Sequence, residues 1–386
     1  MSERFYMPSM SLMGAGCIEE VPAEIKELGL TKALIVTDKV LNQIGLVGEL
    51  TKLLEQNGIQ YAIYDGVQPN PTVANVNNGL AMLKEENCDF VISFGGGSSH
   101  DCCKGIALLA TNGGVIGDYE GVNRSKKPQL PMIAVNTTAG TASEMTIFCI
   151  ITDEERHVKM ALVDKNMTPI IAVNDANLML NIPKALTAAT GMDALSHAIE
   201  SYVSLNASPM TEMFGLKSIE LINQYLEKAY HKPDNLEARG GMMLASYLGG
   251  CAITAGIGIA HIMAQPLGAI YHIPHGDACS IFLPIAMELN LPYATKKYAK
   301  IAEALHVYDS TASNQKNAMN AIQRVKEIRA AIDAPNCLTP YIKNSPTIDE
   351  IIDIVKRTTG HITCNPKPLN EQLIFDAFRM ACDKSK

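Results

Sequence analysis

Between Lys32 and Thr141 the chain alternates short apolar runs with segments of helical period, and this alternation restricts its fold more than any other feature. KALIVTD (32–38), QYAIYDGV (60–67), DFVISFGGG (89–97) and LPMIAVNTTAGT (130–141) read as buried strands, the last two running into loops. IGLVGELTKLLEQNG (44–58), PTVANVNNGLAMLKEENC (71–88) and SSHDCCKGIALLAT (98–111) read as helices. Pro71 is expected to open the second, and Ser98 to cap the third, with Asp101 three residues on. Buried strands that alternate with helices predict an α/β domain with a mainly parallel sheet. Near Pro183 the pattern changes. From PKALTAATGMDALSHAIESYVS (183–204) onward the period is helical, with runs at 209–229, 238–256, 293–305, 313–332 and 347–358. Two domains are therefore expected: an α/β domain over 1–183 and an all-helical one over 184–386.

The bulk properties narrow the partners. A net charge of −8 over 386 residues argues against nucleic acid and against an anionic membrane surface. No apolar run approaches the length of a membrane-spanning helix. The opening MSERFYMPSMSLMG lacks a basic segment followed by an apolar one, so a cytoplasmic location is expected. The ten cysteines include no CxxC pair and read as reduced, mostly core thiols, Cys102 and Cys103 among them.

Two loops follow buried strands and suit a nucleotide. FGGGSSHD (94–101) lets the backbone approach a ligand and leads into a helix N-terminus, where free N–H groups attract an anion such as a pyrophosphate. It is neither a GxGxxG fingerprint nor a Walker A loop, and a plain tight strand–helix turn reads equally well. NTTAGTASE (136–144) is the second loop. Both lie at the carboxyl ends of strands, the ligand-binding edge of open α/β sheets. Asp38 ends the first strand. Its carboxylate reads either as a helix N-cap or as an acceptor for an adenosine ribose, favouring NAD over NADP.

GMDALSHAIE (191–200) sets Asp193 and His197 four apart, on one helical face with apolar flanks. They read as a surface pair or as two ligands of one cation. GIAHIMAQPLGAIYHIPHG (258–276) holds His261, His272 and His275 in an apolar segment, either as satisfied core histidines or as further ligands. Three imidazoles and a carboxylate would suit Zn²⁺ or Fe²⁺ and would not suit Ca²⁺ or Mg²⁺.

With these residues assembled, the chain resembles the iron-containing (group III) alcohol dehydrogenases. GVQPNP (66–71), GGGSSHDCCK (95–104), NTTAGTASE, TAATGMDALSHAIE (187–200) and GIAHIMAQPLGAIYHIPHG carry the resemblance, which runs from Asp38 to CNPK (364–367). It is greatest to the short members that act on ethanol, lactaldehyde or 1,3-propanediol. The resemblance implies a Rossmann-like N-terminal domain, a helical C-terminal domain and a homo-oligomer. It implies that Asp193, His197, His261 and His275 hold Fe²⁺, with Zn²⁺ or Mn²⁺ as alternatives. It also implies NAD contacts from Asp38, Asn70, Gly96, Gly97, Ser98, Thr137, Thr138 and Lys159, with Asp101 beside them. The expected reaction is reversible hydride transfer between NAD(H) and a small alcohol or aldehyde, the metal acting as Lewis acid on the substrate oxygen.

Two departures stand out. Family members commonly read HxMAH, but here Gln265 replaces the second histidine; Ile147 replaces a residue that is often polar or basic. Glutamine does not titrate in the useful range, so the proton path has to differ. His272 is one candidate for it. Gln265 is instead a candidate to hydrogen-bond a polar or acidic aldehyde. The alternatives to the main reading are a zinc enzyme of the related dehydroquinate-synthase or glycerol-dehydrogenase type, and a catalytically inactive structural homologue.

Overall fold

In the computed structural model, residues 4–156, 158–342, 347–359 and 364–382 are described. The chain divides into two units, Met1–Thr138 with Ala142–Leu180, and Ala139–Thr141 with Asn181–Lys386.

The first unit contains β1 (Met10–Met13), α1 (Val21–Glu27), β2 (Lys32–Asp38), α2 (Lys39–Gln43), α3 (Val47–Gln56), β3 (Gln60–Val67), α4 (Val73–Glu85), β4 (Phe90–Gly95) and α5 (Gly97–Asn112). It continues through β5 (Gly121–Val122), β6 (Met132–Asn136), β7 (Phe148–Asp153), β8 (Val158–Val163) and β9 (Ile171–Asn174). Six strands form an all-parallel sheet in the order β1-β9-β6-β4-β2-β3. Alternate residues of one strand enter different cores. Ala33 and Ile35 pack with Val47, Leu50 and Phe90, while Leu34 and Val36 pack with Val76, Val91 and Ile106. Burial on both faces explains the unbroken apolar runs of β2, β4 and β6. The chain leaves β2 for β3 on one side and then crosses to β4 on the other. The carboxyl ends of β2 and β4, Asp38 and Gly95, therefore flank a topological switch point, where open α/β sheets bind ligands.

Some local expectations are corrected. Pro71 does not open α4. Thr72 is its N-cap, in a reciprocal capping box with Asn75. Ser98 does not cap α5 either, because it already lies within the helix and Gly96 takes the cap position. A second, three-stranded sheet, β5-β8-β7, includes an antiparallel pair absent from the sequence reading.

The loop after β6 carries an unusual acid. Glu144 is fully buried, and burial raises its pKa from 4.5 to about 7 against the opposing pull of its own backbone N–H, Lys104 and Asn174. The folded protein thus keeps a proton that the unfolded chain releases near pH 4.5, so stability falls as pH rises from there to about 7. Glu144→Gln mimics the neutral acid. Its stability relative to the wild type, followed by urea unfolding from pH 5 to pH 8, is expected to rise by up to about 3 kcal/mol and then level off.

The second unit is built of α6 (Lys184–Val203), α7 (Pro209–His231), α8 (Leu236–Ala252), α9 (Ile259–Tyr271), α10 (His275–Ala304), α11 (Asn314–Ala331), α12 (Ile348–Thr359) and α13 (Glu371–Cys382). The run expected at 293–305 is the tail of α10, which bends at Ala294. Buried residues of α9, α10, α12 and α13 share one core. No single described helix is long and apolar enough to cross a membrane.

Candidate metal centre and cofactor loops

In the second unit Asp193 and His197 sit one turn apart on the buried face of α6. His261 lies in the first turn of α9, and His275 opens α10. Between α9 and α10, His272 adopts a left-handed conformation (φ 53°) that turns the chain. Gly276 follows, where a Cβ would meet the Ala189 carbonyl oxygen at 2.0 Å, so only glycine lets the start of α10 approach α6 this closely.

Three imidazoles converge on one oxygen. Asp193 Oδ1 lies 3.7 Å from His197 Nε2, 3.4 Å from His261 Nε2 and 3.5 Å from His275 Nε2. The longer of these separations exceed a hydrogen bond. They match donors that share an ion, since ligands about 2.1 Å from a tetrahedral centre stand about 3.4 Å apart. The His197 and His261 rings stack, with centroids 4.6 Å apart. Burial alone would raise the Asp193 pKa, but His197, His275 and His261 outweigh it and hold the carboxyl well below its usual range. Burial lowers the basicity of His197, with Asp193 opposing the shift. An anionic carboxylate oxygen facing three imidazole nitrogens is a donor set suited to a divalent transition metal. His275 has a side-chain exposure of 30% against 1–7% for the other three, so the cluster meets solvent at His275.

Two further residues belong to this cluster, and the sequence reading missed both. Glu200 accepts from the Ala260 backbone N–H through Oε1 (2.6 Å), and its Oε2 lies 2.6 Å from His261 Nδ1. One carboxylate thereby caps α9 and turns Nε2 of His261 toward Asp193. Its place within GMDALSHAIE, seven residues after Asp193 on the same helix, was the available signal. Cys279 Sγ lies 3.6 Å from Asp193 Oδ1, 3.8 Å from His261 Nε2 and 3.6 Å from His275 Nε2. Glu200→Gln is expected to weaken metal binding about 10- to 100-fold by releasing the His261 ring. Competition with a chromogenic chelator would measure the change.

Gln265 is half-buried on α9, one turn after His261, and His272 is exposed. Among the described residues, no hydrogen bond or ion pair joins either to the cluster.

In the first unit, α5 starts beyond the Gly96 cap without a side-chain cap, leaving its first N–H groups available to an anion. Gly95 has φ +148°, and a Cβ there would meet Ser99 Oγ at 2.4 Å, which explains the glycine at the end of β4. The two expected loops lie together. Thr137 N–H donates to the Gly95 carbonyl (3.0 Å), and Thr138 N–H to Asn136 Oδ1 (3.1 Å). Lys159 Nζ donates to Asn70 Oδ1 (2.8 Å), pairing two of the expected cofactor residues. Asp38 Oδ1 accepts from Leu41 N–H (2.9 Å), so it caps α2. Asp101 turns inward, where its two oxygens accept from Ser143 Oγ (2.7 Å) and Ile150 N–H (3.0 Å).

Comparison with known proteins identifies the family. Residues 8–176 match the iron-containing alcohol dehydrogenase family and residues 187–382 the C-terminal region of the Fe-containing alcohol dehydrogenase family. Alcohol dehydrogenase 4 of Saccharomyces cerevisiae (strain YJM789) is 50% identical over 380 residues, 98% of each chain. The NAD-dependent methanol dehydrogenase of Bacillus methanolicus is 43% identical over 324 residues, covering 83% of this chain and 85% of that one. A crystal structure of 1,3-propanediol oxidoreductase superposes with a TM-score of 0.96 at 39% identity, covering 99% of this chain and all of that one. The protein belongs to the iron-containing alcohol dehydrogenase family and is an NAD-dependent enzyme that interconverts alcohols and aldehydes.

Proposed function

We propose that the physiological substrate is a short aldehyde or its primary alcohol, and that Asp193, His197, His261 and His275 hold the divalent ion on which turnover depends. The convergence of three imidazoles on Asp193 Oδ1 carries this reading. With both groups bound, the ion would act as a Lewis acid on the substrate oxygen and the nicotinamide would exchange the hydride. The chain's own residues supply the frame. Asp193 contributes negative charge, Glu200 fixes the His261 ring, and the half-open His275 side admits substrate. In the first unit, the α5 N-terminus takes the pyrophosphate, Asn70 and Lys159 act as a pair, and Asp38 lies by the adenosine ribose. The intact donor set argues against an inactive structural homologue.

A more specific reading concerns Gln265. It stands one turn from His261 with no polar partner among the described residues, and its amide suits a substrate bearing a second hydroxyl or an acidic group. The test compares NADH oxidation with propanal, lactaldehyde and 3-hydroxypropanal in the wild type and in Gln265→His. A selective loss on the hydroxylated aldehydes supports it, and an unchanged ratio contradicts it. His272 is the candidate proton carrier; an unchanged pH–rate profile in His272→Gly, which keeps the turn, rules that role out.

The enzyme works in a reducing compartment such as the cytoplasm and as a homo-oligomer. All ten cysteines are free, which supports the first point. Edge strand β1 exposes Met10 and Met13, which supports the second.

A further inference from the structure

We propose that Cys279 coordinates the divalent ion, giving the centre a sulfur ligand beside its nitrogens and its carboxylate. The inference rests on the metal-centre reading above and goes beyond its four ligands.

Geometry carries it. The donor atoms of Asp193, His261, His275 and Cys279 all lie within 4.8 Å of one another. His197 Nε2 reaches the same oxygen, Asp193 Oδ1, at 3.7 Å. The Cys279 sulfur is 3.6–3.8 Å from each of the other three donors. Donors about 2.1 and 2.3 Å from one ion, at angles of about 90–110° as in a five- or six-coordinate centre, stand about 3.1–3.6 Å apart. The sulfur, which the same separations let donate a hydrogen bond to Asp193 Oδ1, thus lies within reach of an ion held by the other three donors.

The helices explain the placement. His275 and Cys279 are four residues apart on α10, as Asp193 and His197 are on α6, so each helix presents an i, i+4 pair. Cys279 is completely buried, in one apolar core with Ala260 and Ile262, the neighbours of His261 in the chain. Coordination replaces the S–H bond by a metal–sulfur bond, and the proton leaves to solvent. No oxidation change is involved. A thiolate favours soft or borderline divalent ions such as Zn²⁺ and Co²⁺ over Mn²⁺ and Mg²⁺.

Cobalt provides a readout independent of turnover. The full-length protein would be stripped with a chelator, loaded with Co²⁺ alone and examined by absorption spectroscopy. The wild type is expected to show visible d–d bands together with a near-ultraviolet thiolate-to-cobalt charge-transfer band. Cys279→Ser is expected to keep the visible bands, lose the charge-transfer band and bind Co²⁺ about tenfold more weakly. Cys279→Ala provides the same comparison if the serine variant folds poorly, and circular dichroism checks the fold of both. Visible bands without charge transfer in the wild type would overturn the sulfur ligand and leave the nitrogen and oxygen centre standing. A charge-transfer band that survives in folded variants would also overturn it, because the sulfur would come from another cysteine. Failure of the wild type to bind Co²⁺ at all would defeat the metal-centre reading itself.

Discussion

His261→Ala is expected to strip the enzyme of metal and to lower aldehyde reduction by about three to four powers of ten. This corresponds to the several kcal/mol of charge stabilisation that a Lewis-acid ion supplies. His261 is chosen because it touches the most partners in the cluster. It faces Asp193 through Nε2, lies 2.6 Å from Glu200 through Nδ1 and stacks on His197. Its loss leaves the buried Glu200 and Asp193 carboxylates with less compensation, so some destabilisation is expected as well. Metal analysis and kcat measured on one preparation separate the effects. Loss of metal with the fold retained, seen as an unchanged circular dichroism spectrum, assigns the activity loss to the centre. Full metal content in the variant would contradict the ligand role.

The second large effect is expected far from the metal in sequence. Lys104→Met should destabilise the first unit by about 3–5 kcal/mol, because it removes a buried ammonium and strands its acceptors. Lys104 Nζ donates to the carbonyls of Ser143 (2.7 Å), Thr146 (2.9 Å) and Phe148 (2.7 Å), and to Ser143 Oγ (3.0 Å). Ser143 Oγ in turn reaches Asp101, which also accepts from Ile150 N–H. These two side chains of α5 bolt down the segment that follows Thr137 and Thr138. A fall in melting temperature of about 10 °C or more is expected by calorimetry, with NADH binding weakened in parallel. Wild-type melting in the variant would show that the buried charge is dispensable.

How much of this was legible in the sequence depended on range. The strands of the parallel sheet that are buried on both faces, such as β2 and β4, stand out because an uninterrupted apolar run leaves few alternatives. The short strands β1 and β9 lack that signal, having only four residues each. The β7–β8 pair was missed because its burial alternates weakly and the turn carries no Asn-Gly or Asp-Gly dipeptide. Cap positions were misplaced at α4 and α5, where serine and proline suggested starts that Thr72 and Gly96 supply.

At the site, Asp193 and His197 were readable because one helical turn puts them on the same face. His261 and His275 required the tertiary fold, and family resemblance stood in for it. Glu200 and Cys279 were invisible for different reasons. Glu200 acts through the α9 backbone and a ring nitrogen, neither of which sequence spacing encodes. Cys279 read as one more small core residue, and only the distances to three other donors set it apart from Cys102 or Cys103.

One divalent ion, held by this cluster, is proposed to support hydride transfer. The most direct measurement titrates the chelator-stripped enzyme with Fe²⁺ without oxygen while NADH oxidation by a short aldehyde is followed. Activity is predicted to be negligible at first, to rise in proportion to added iron and to level off at one ion per chain. Full activity in the stripped enzyme, or none after one equivalent has bound, would contradict the account.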